Sequence, residues 1–82
     1  MKKTITRNVA DHWRASKAAH NNGGQYSTDG LKLYSYELQI GDTTDEGLKV
    51  LRDYSAQGRH GFRSMTTSKH VGYARPCADI ID

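Results

Sequence analysis

Residues 64–70, Ser-Met-Thr-Thr-Ser-Lys-His, place four hydroxyls, an ammonium and an imidazole in seven consecutive positions, and Arg75 follows shortly after. Hydroxyls and cations at this density suit the oxygens of a phosphate or carboxylate. A change from strand to helix periodicity falls in the same stretch, which sets Thr66, Thr67 or Ser68 at or near a helix N-cap. The first N–H groups of a helix have no intrahelical partner and point outward with partial positive charge, so an anion binds well there. Lys69 and a protonated His70 in that first turn oppose the helix dipole, an arrangement that makes sense with an anion between them. Two plainer readings stand beside this one: ordinary Ser/Thr capping, worth about 1 kcal/mol, and a face for another protein.

The charge distribution extends the argument. The net charge is +3, but the chain is polarised. Asp29, Glu37, Asp42, Asp45 and Glu46 are faced only by Lys32 over the middle of the chain. No acid lies between Asp53 and Asp79, where Arg59, His60, Arg63, Lys69, His70 and Arg75 all fall. A basic third of this kind favours an anionic partner, against the bland alternative of a solvated cationic face. The candidate anion-binding set is Arg59, Arg63, Thr66, Thr67, Ser68, Lys69, His70 and Arg75.

Other chemistry finds less support. His12 and His20 lie two helical turns apart, His60 and His70 have no ligand-like pairing, and Cys77 is the only cysteine, so no zinc spacing occurs. A metal-dependent nuclease needs clustered acids, and here the acids fall in turns away from the basic end. The expectation is a non-enzymatic protein without metal or cofactor. The glycine pair in Asn-Asn-Gly-Gly at 21–24 lacks the Lys-Ser/Thr helix start of a phosphate loop. Tyr34 and Tyr36 could stack bases on an open sheet face. Their alternation with Leu38 and Ile40 along one strand face favours the core instead.

Positioning these residues falls to a small domain. A chain of 82 residues forms one unit, 1–82, and buries only roughly 60–65% of the surface it exposes when unfolded. Subunit contacts would add apolar area, so a homo-oligomer is expected. Residues 8–20 read as a helix capped by Asn8, with Val9 and Trp13 on one face and Asn-Asn-Gly-Gly as its stop. Residues 25–28, an Asp-Gly turn and residues 31–40 read as a hairpin. Residues 48–56 and 62–67 supply two further strands. From Ser68, Val71, Ala74, Ala78 and Ile81 follow helical spacing, with Pro76 imposing a kink or break. The expected fold is α+β: a three- or four-stranded antiparallel meander flanked by an N-terminal and a C-terminal helix. Trp13, Leu38, Val50, Phe62 and Val71 should share its core. No apolar run reaches the ~18 residues of a membrane span, no apolar stretch follows the basic start, and one cysteine suits a reducing compartment.

Trp13 in its helix, the Leu-Tyr-Ser-Tyr run from Leu33 to Tyr36, Tyr54 with Ser55, and Thr-Thr-Ser-Lys-His from Thr66 to His70 resemble a small domain family of unknown function found mostly in bacteriophages. The resemblance implies a role in the cytoplasm of an infected bacterial host, and it carries no catalytic residue. Small phage proteins often block host or defence machinery, an associational prior. The leading expectation is a protein whose basic third engages a phosphate-bearing ligand: nucleic acid, a nucleotide signal, or the nucleic-acid groove of a host complex. The alternative is a protein–protein inhibitor of a host or anti-phage defence complex, using Asp29, Glu37, Asp42, Asp45 and Glu46 as a nucleic-acid mimic.

Overall fold

A computed structural model describes residues 2–82. Seven short strands form one mixed sheet in sequence order: β1 (Lys2–Lys3), β2 (Ala18–His20), β3 (Tyr26–Asp29), β4 (Leu33–Ser35), β5 (Leu38–Thr43), β6 (Lys49–Leu51) and β7 (Ile80–Ile81). The five central strands pair antiparallel as a meander, while β1 and β7 add parallel strands at the two edges. Helix α1 (Asn8–Arg14) and helix α2 (Met65–Ala74) pack on this sheet, and a 3-10 turn over Arg75–Cys77 follows α2. The α+β class and the two helices are thus as expected, whereas the three- or four-stranded antiparallel meander is only part of a mixed sheet of more and shorter strands with parallel edges.

The core is one cluster. Val9, Ala10 and Trp13 of α1 meet Tyr26, Leu33, Ile40 and Leu51 of the sheet and Val71 and Ala74 of α2. Trp13 is completely buried and donates its indole N–H to the Leu31 carbonyl at 2.9 Å. Gly41 lets β5 run under that indole, because a Cβ there would sit 2.8 Å from Trp13 Cζ2. Phe62, expected in this core, is exposed, and Val50 is only half-buried. The inward residues of β6 are Lys49 and Leu51, so the buried face of that strand is the opposite of the one that places Val50 inside.

Several boundaries depart from expectation. Helix α1 stops at Arg14 because Ser16 takes a left-handed φ of 59°, and Ala18–His20 then pairs with β3 instead of continuing the helix. Its cap position is Arg7 rather than Asn8, without a side-chain cap. The run 31–40 is two strands: Tyr36, at φ 55°, turns the chain between Ser35 and Leu38. Residues 62–67 are not a strand, since Ser64 accepts a hydrogen bond from the Thr67 N–H and starts α2 at Met65. At the far end, α2 breaks before Pro76, as the proline requires. Ile81 then belongs to an edge strand rather than to a longer helix.

Candidate functional site

In the meander, the turn joining β2 to β3 and the turn joining β4 to β5 lie at the same end of the sheet. The chain leaving β1, parallel to β2, reaches that end too. Asn21 fastens the junction: its amide donates to Thr6 Oγ1 at 3.1 Å and its Oδ1 accepts from the Tyr26 N–H at 3.1 Å. Helix α2 lies beside it and turns one stripe toward it: Thr66, Lys69, His70 and Tyr73, at i, i+3, i+4 and i+7. Between stripe and turns is a pocket of about 330 Å³. Thr66, Lys69, His70 and Tyr73 form one wall, and Thr6, Asn21, Gln25 and Tyr36 form the other. None of these lining residues is acidic, and Lys69 is their single cation.

His70 forms the floor of this pocket. The residue is 3% exposed, and its ring stacks on Tyr26 with centroids 4.2 Å apart and planes 4° from parallel. Desolvation pushes its imidazole down to about 4, so near neutrality the ring carries no charge. His70 is therefore not the cation that the sequence suggests. Its Nδ1 lies 2.7 Å from Ser35 Oγ, which lies 3.0 Å from Thr67 Oγ1, which in turn accepts from Ser64 Oγ at 3.1 Å. With Ser64 donating to Thr67, every hydroxyl proton finds an acceptor only if Thr67 donates to Ser35 and Ser35 donates to Nδ1. Nδ1 is then the acceptor, and the ring proton sits on Nε2. Among the described residues Nε2 has no hydrogen-bond partner, and no enclosed side-chain nitrogen or oxygen is left unpartnered. Nε2 is therefore not fully enclosed, and His70 lines the pocket.

The aromatic walls are Tyr36 and Tyr73, exposed by 53% and 39%. The Tyr36 ring centroid stands 6.2 Å from that of His70, and the Tyr73 centroid 6.5 Å from that of Tyr26. Tyr36 occupies the first position of a two-residue hairpin turn at positive φ, where glycine is the unstrained choice. A bulky residue held in that conformation is a recurrent mark of a functional position.

Of the eight sequence candidates, the structure brings Thr66, Lys69 and His70 into the pocket. Thr67 stands behind them, buried, within the hydroxyl chain. Ser68 points away, its hydroxyl 3.5 Å from the Tyr54 carbonyl. The arginines sit elsewhere and have partners. Arg75 reaches both oxygens of Asp53 at 3.1 and 3.2 Å. Burial raises the Asp53 carboxyl, but the Ser55 hydroxyl and Arg75 more than offset it and hold it below its ordinary value. Arg59 meets Asp82 at 3.2 Å, and Arg63 lies 5.5 Å over the Tyr54 ring. Of the acids of the middle, Asp29, Asp42, Asp45 and Glu46 lie at or near one end of the meander, and Glu37 alone lies at the other.

Tyr73, Gln25, Asn21 and Thr6 escape a reading of the sequence that centres on charge. The stripe at 66, 69, 70 and 73 is the signal that points to Tyr73. Nothing local marks Tyr36 as a turn residue. Among the described residues no group of three His, Cys, Asp or Glu side chains converges, and no helix is long and apolar enough to cross a membrane. No protein-family model, curated protein or solved structure matches this chain.

Proposed function

We propose that this chain is a small phage-type binding protein without catalytic activity, acting in the cytoplasm of an infected bacterial host to counter host or defence machinery. Its ligand bears phosphate and is held in the pocket between α2 and the two turns. The observation that carries this reading is the pocket's lining: one free-standing cation, Lys69, among neutral donors and tyrosines, with no carboxylate to repel an anion. Thr66 and Lys69 supply donors to phosphate oxygens. His70, with Nδ1 occupied by Ser35 and its proton on Nε2, is a donor rather than a base, which favours binding over catalysis.

The site is narrower than the whole basic third. Arg59 and Arg75 are spent on Asp82 and Asp53, so their charge is largely cancelled locally. The nucleic-acid-mimic alternative rests on Asp29, Asp42, Asp45 and Glu46, which lie at or near one end of the meander, with Glu37 alone at the other.

Thermal unfolding in the presence of phosphate compounds tests the proposal. A ligand at a hundred times its dissociation constant stabilises the native state by about 2.7 kcal/mol. Tm should rise with mononucleotides or oligonucleotides for the parent and not for Lys69→Glu, whose own Tm stays near the parent's. The same Tm rise in both proteins would remove the pocket from the account.

A further inference from the structure

The hydroxyl chain gives His70 a fixed role toward any occupant. A ring buried this deeply, tied down at Nδ1 and lining the pocket leaves one uncharged N–H, at Nε2, unpartnered and not fully enclosed. It asks for a neutral acceptor on the ligand. A phosphate seated directly on it would lie against a neutral group in a desolvated corner, whereas exposed Lys69 offers charge on the same helix stripe. Beside the N–H stands Tyr36, an exposed ring 6.2 Å from the imidazole and held at φ 55°. An exposed aromatic face suits a flat, polarisable ring system, as nucleobases are. The volume, about 330 Å³, is at the small end of ligand pockets, roughly 300–1,000 Å³, and has room for one such unit rather than several.

Building on the phosphate-binding reading, we propose that the pocket takes a single nucleotide unit. Its base lies against Tyr36 and accepts a hydrogen bond from His70 Nε2–H, and its phosphate lies at Lys69 and Thr66. The unit is either a free mononucleotide or the terminal nucleotide of a strand. Ser35, Thr67 and Ser64 are positioning residues: they touch no ligand, and they decide which ring nitrogen of His70 carries the proton.

Calorimetric titration with the four 5′-mononucleotides, a 5′-phosphorylated hexanucleotide, ribose 5-phosphate and inorganic phosphate separates these contributions. At least one mononucleotide, or the hexanucleotide, should bind roughly tenfold or more tighter than ribose 5-phosphate. The ratio of mononucleotide to hexanucleotide affinity then tells the free unit from the strand end. Tyr36→Gly, which relieves the backbone strain and so keeps the fold, should erase the advantage over ribose 5-phosphate. Nitrogen NMR of the imidazole, without any ligand, should show the Nε2–H tautomer in the parent and lose that preference in Ser35→Ala. Ribose 5-phosphate binding as tightly as every nucleotide and the hexanucleotide, or a parent ring protonated on Nδ1, would overturn this inference while leaving phosphate binding intact. Binding of none of these compounds would overturn both.

Discussion

Burial sets the behaviour of two polar side chains and backbone strain that of a third, and each can be tested alone. The His70 imidazole titrates near 4 in the folded chain against an ordinary value near 6.5. Between those values the unfolded chain binds more protons, so the stability from a neutral His70 is complete above pH 6.5 and lost as pH falls toward 4. Urea unfolding at pH 7 and pH 5 should show a loss of about 2 kcal/mol from this residue, absent in His70→Gln. Equal losses in parent and variant would refute the assignment. Lys49 is buried with its ammonium on Ser16 Oγ, the Gly30 carbonyl and Thr43 Oγ1, at 3.0, 3.1 and 2.8 Å, which pins three connections of the fold. Desolvation, helped by Arg14, lowers its pKa. Lys49→Ala strands those acceptors and should cost about 3 kcal/mol in the same assay. Tyr36 has the opposite sign: Tyr36→Gly should gain about 1 kcal/mol by releasing the left-handed strain, while impairing ligand binding. A loss of stability there would show that Tyr36 is a packing residue.

At the scale of elements, α2 does the organising. Its inner face carries Thr67, Val71 and Ala74 into the core, and its neighbouring stripe builds the pocket wall. Ser64 links the two functions, since it caps the helix and begins the hydroxyl chain to His70. Ser64→Ala should cost about 1 kcal/mol in Tm-derived stability, and Ser64→Asp, which keeps the cap, should restore it. This helix was legible in part: the clustered hydroxyls mark a helix start, but alternation of Phe62, Ser64 and Thr66 imitates a strand and displaces the start by a few residues. The hairpin at Asp-Gly and the break at Pro76 rest on strong local chemistry, and both are present, the hairpin with a four-residue connection between paired Thr28 and Leu33. The early end of α1 rests on pairing of Ala18–His20 with β3, a tertiary preference that alanine-rich sequence conceals. The pocket was half visible for the same reason. Thr66, Lys69 and His70 announce themselves by type, whereas Gln25 and Tyr36 come to them only through the meander's register.

On the scale of the molecule, two arginines of the basic third, Arg59 and Arg75, are paired within the fold. Three acids near β7 and β6 draw in arginines from elsewhere: Asp79 takes Arg14, Asp53 takes Arg75 and Asp82 takes Arg59. Lys69 remains as the cation of the one pocket that combines the clustered hydroxyl segment with exposed tyrosines. The scaffold beneath depends on Trp13, which brings α1 into the core with Leu33 of β4 and Ile40 of β5 and whose ring centroid lies 5.7 Å from the Lys49 ammonium. Trp13→Ala should cost about 3–5 kcal/mol, enough to leave so small a domain unfolded in far-UV circular dichroism. A folded Trp13→Ala protein with the parent's Tm would contradict the core described. The location of binding is tested most directly by a two-dimensional ¹⁵N–¹H NMR titration of the parent with the phosphate compound that shifts its Tm most. The account predicts saturable shifts confined to the amides of Thr6 and of residues 21–25, 36–37 and 66–73. Saturable shifts centred on Arg59, Arg63 and Arg75, or no saturable shift at all, would contradict it.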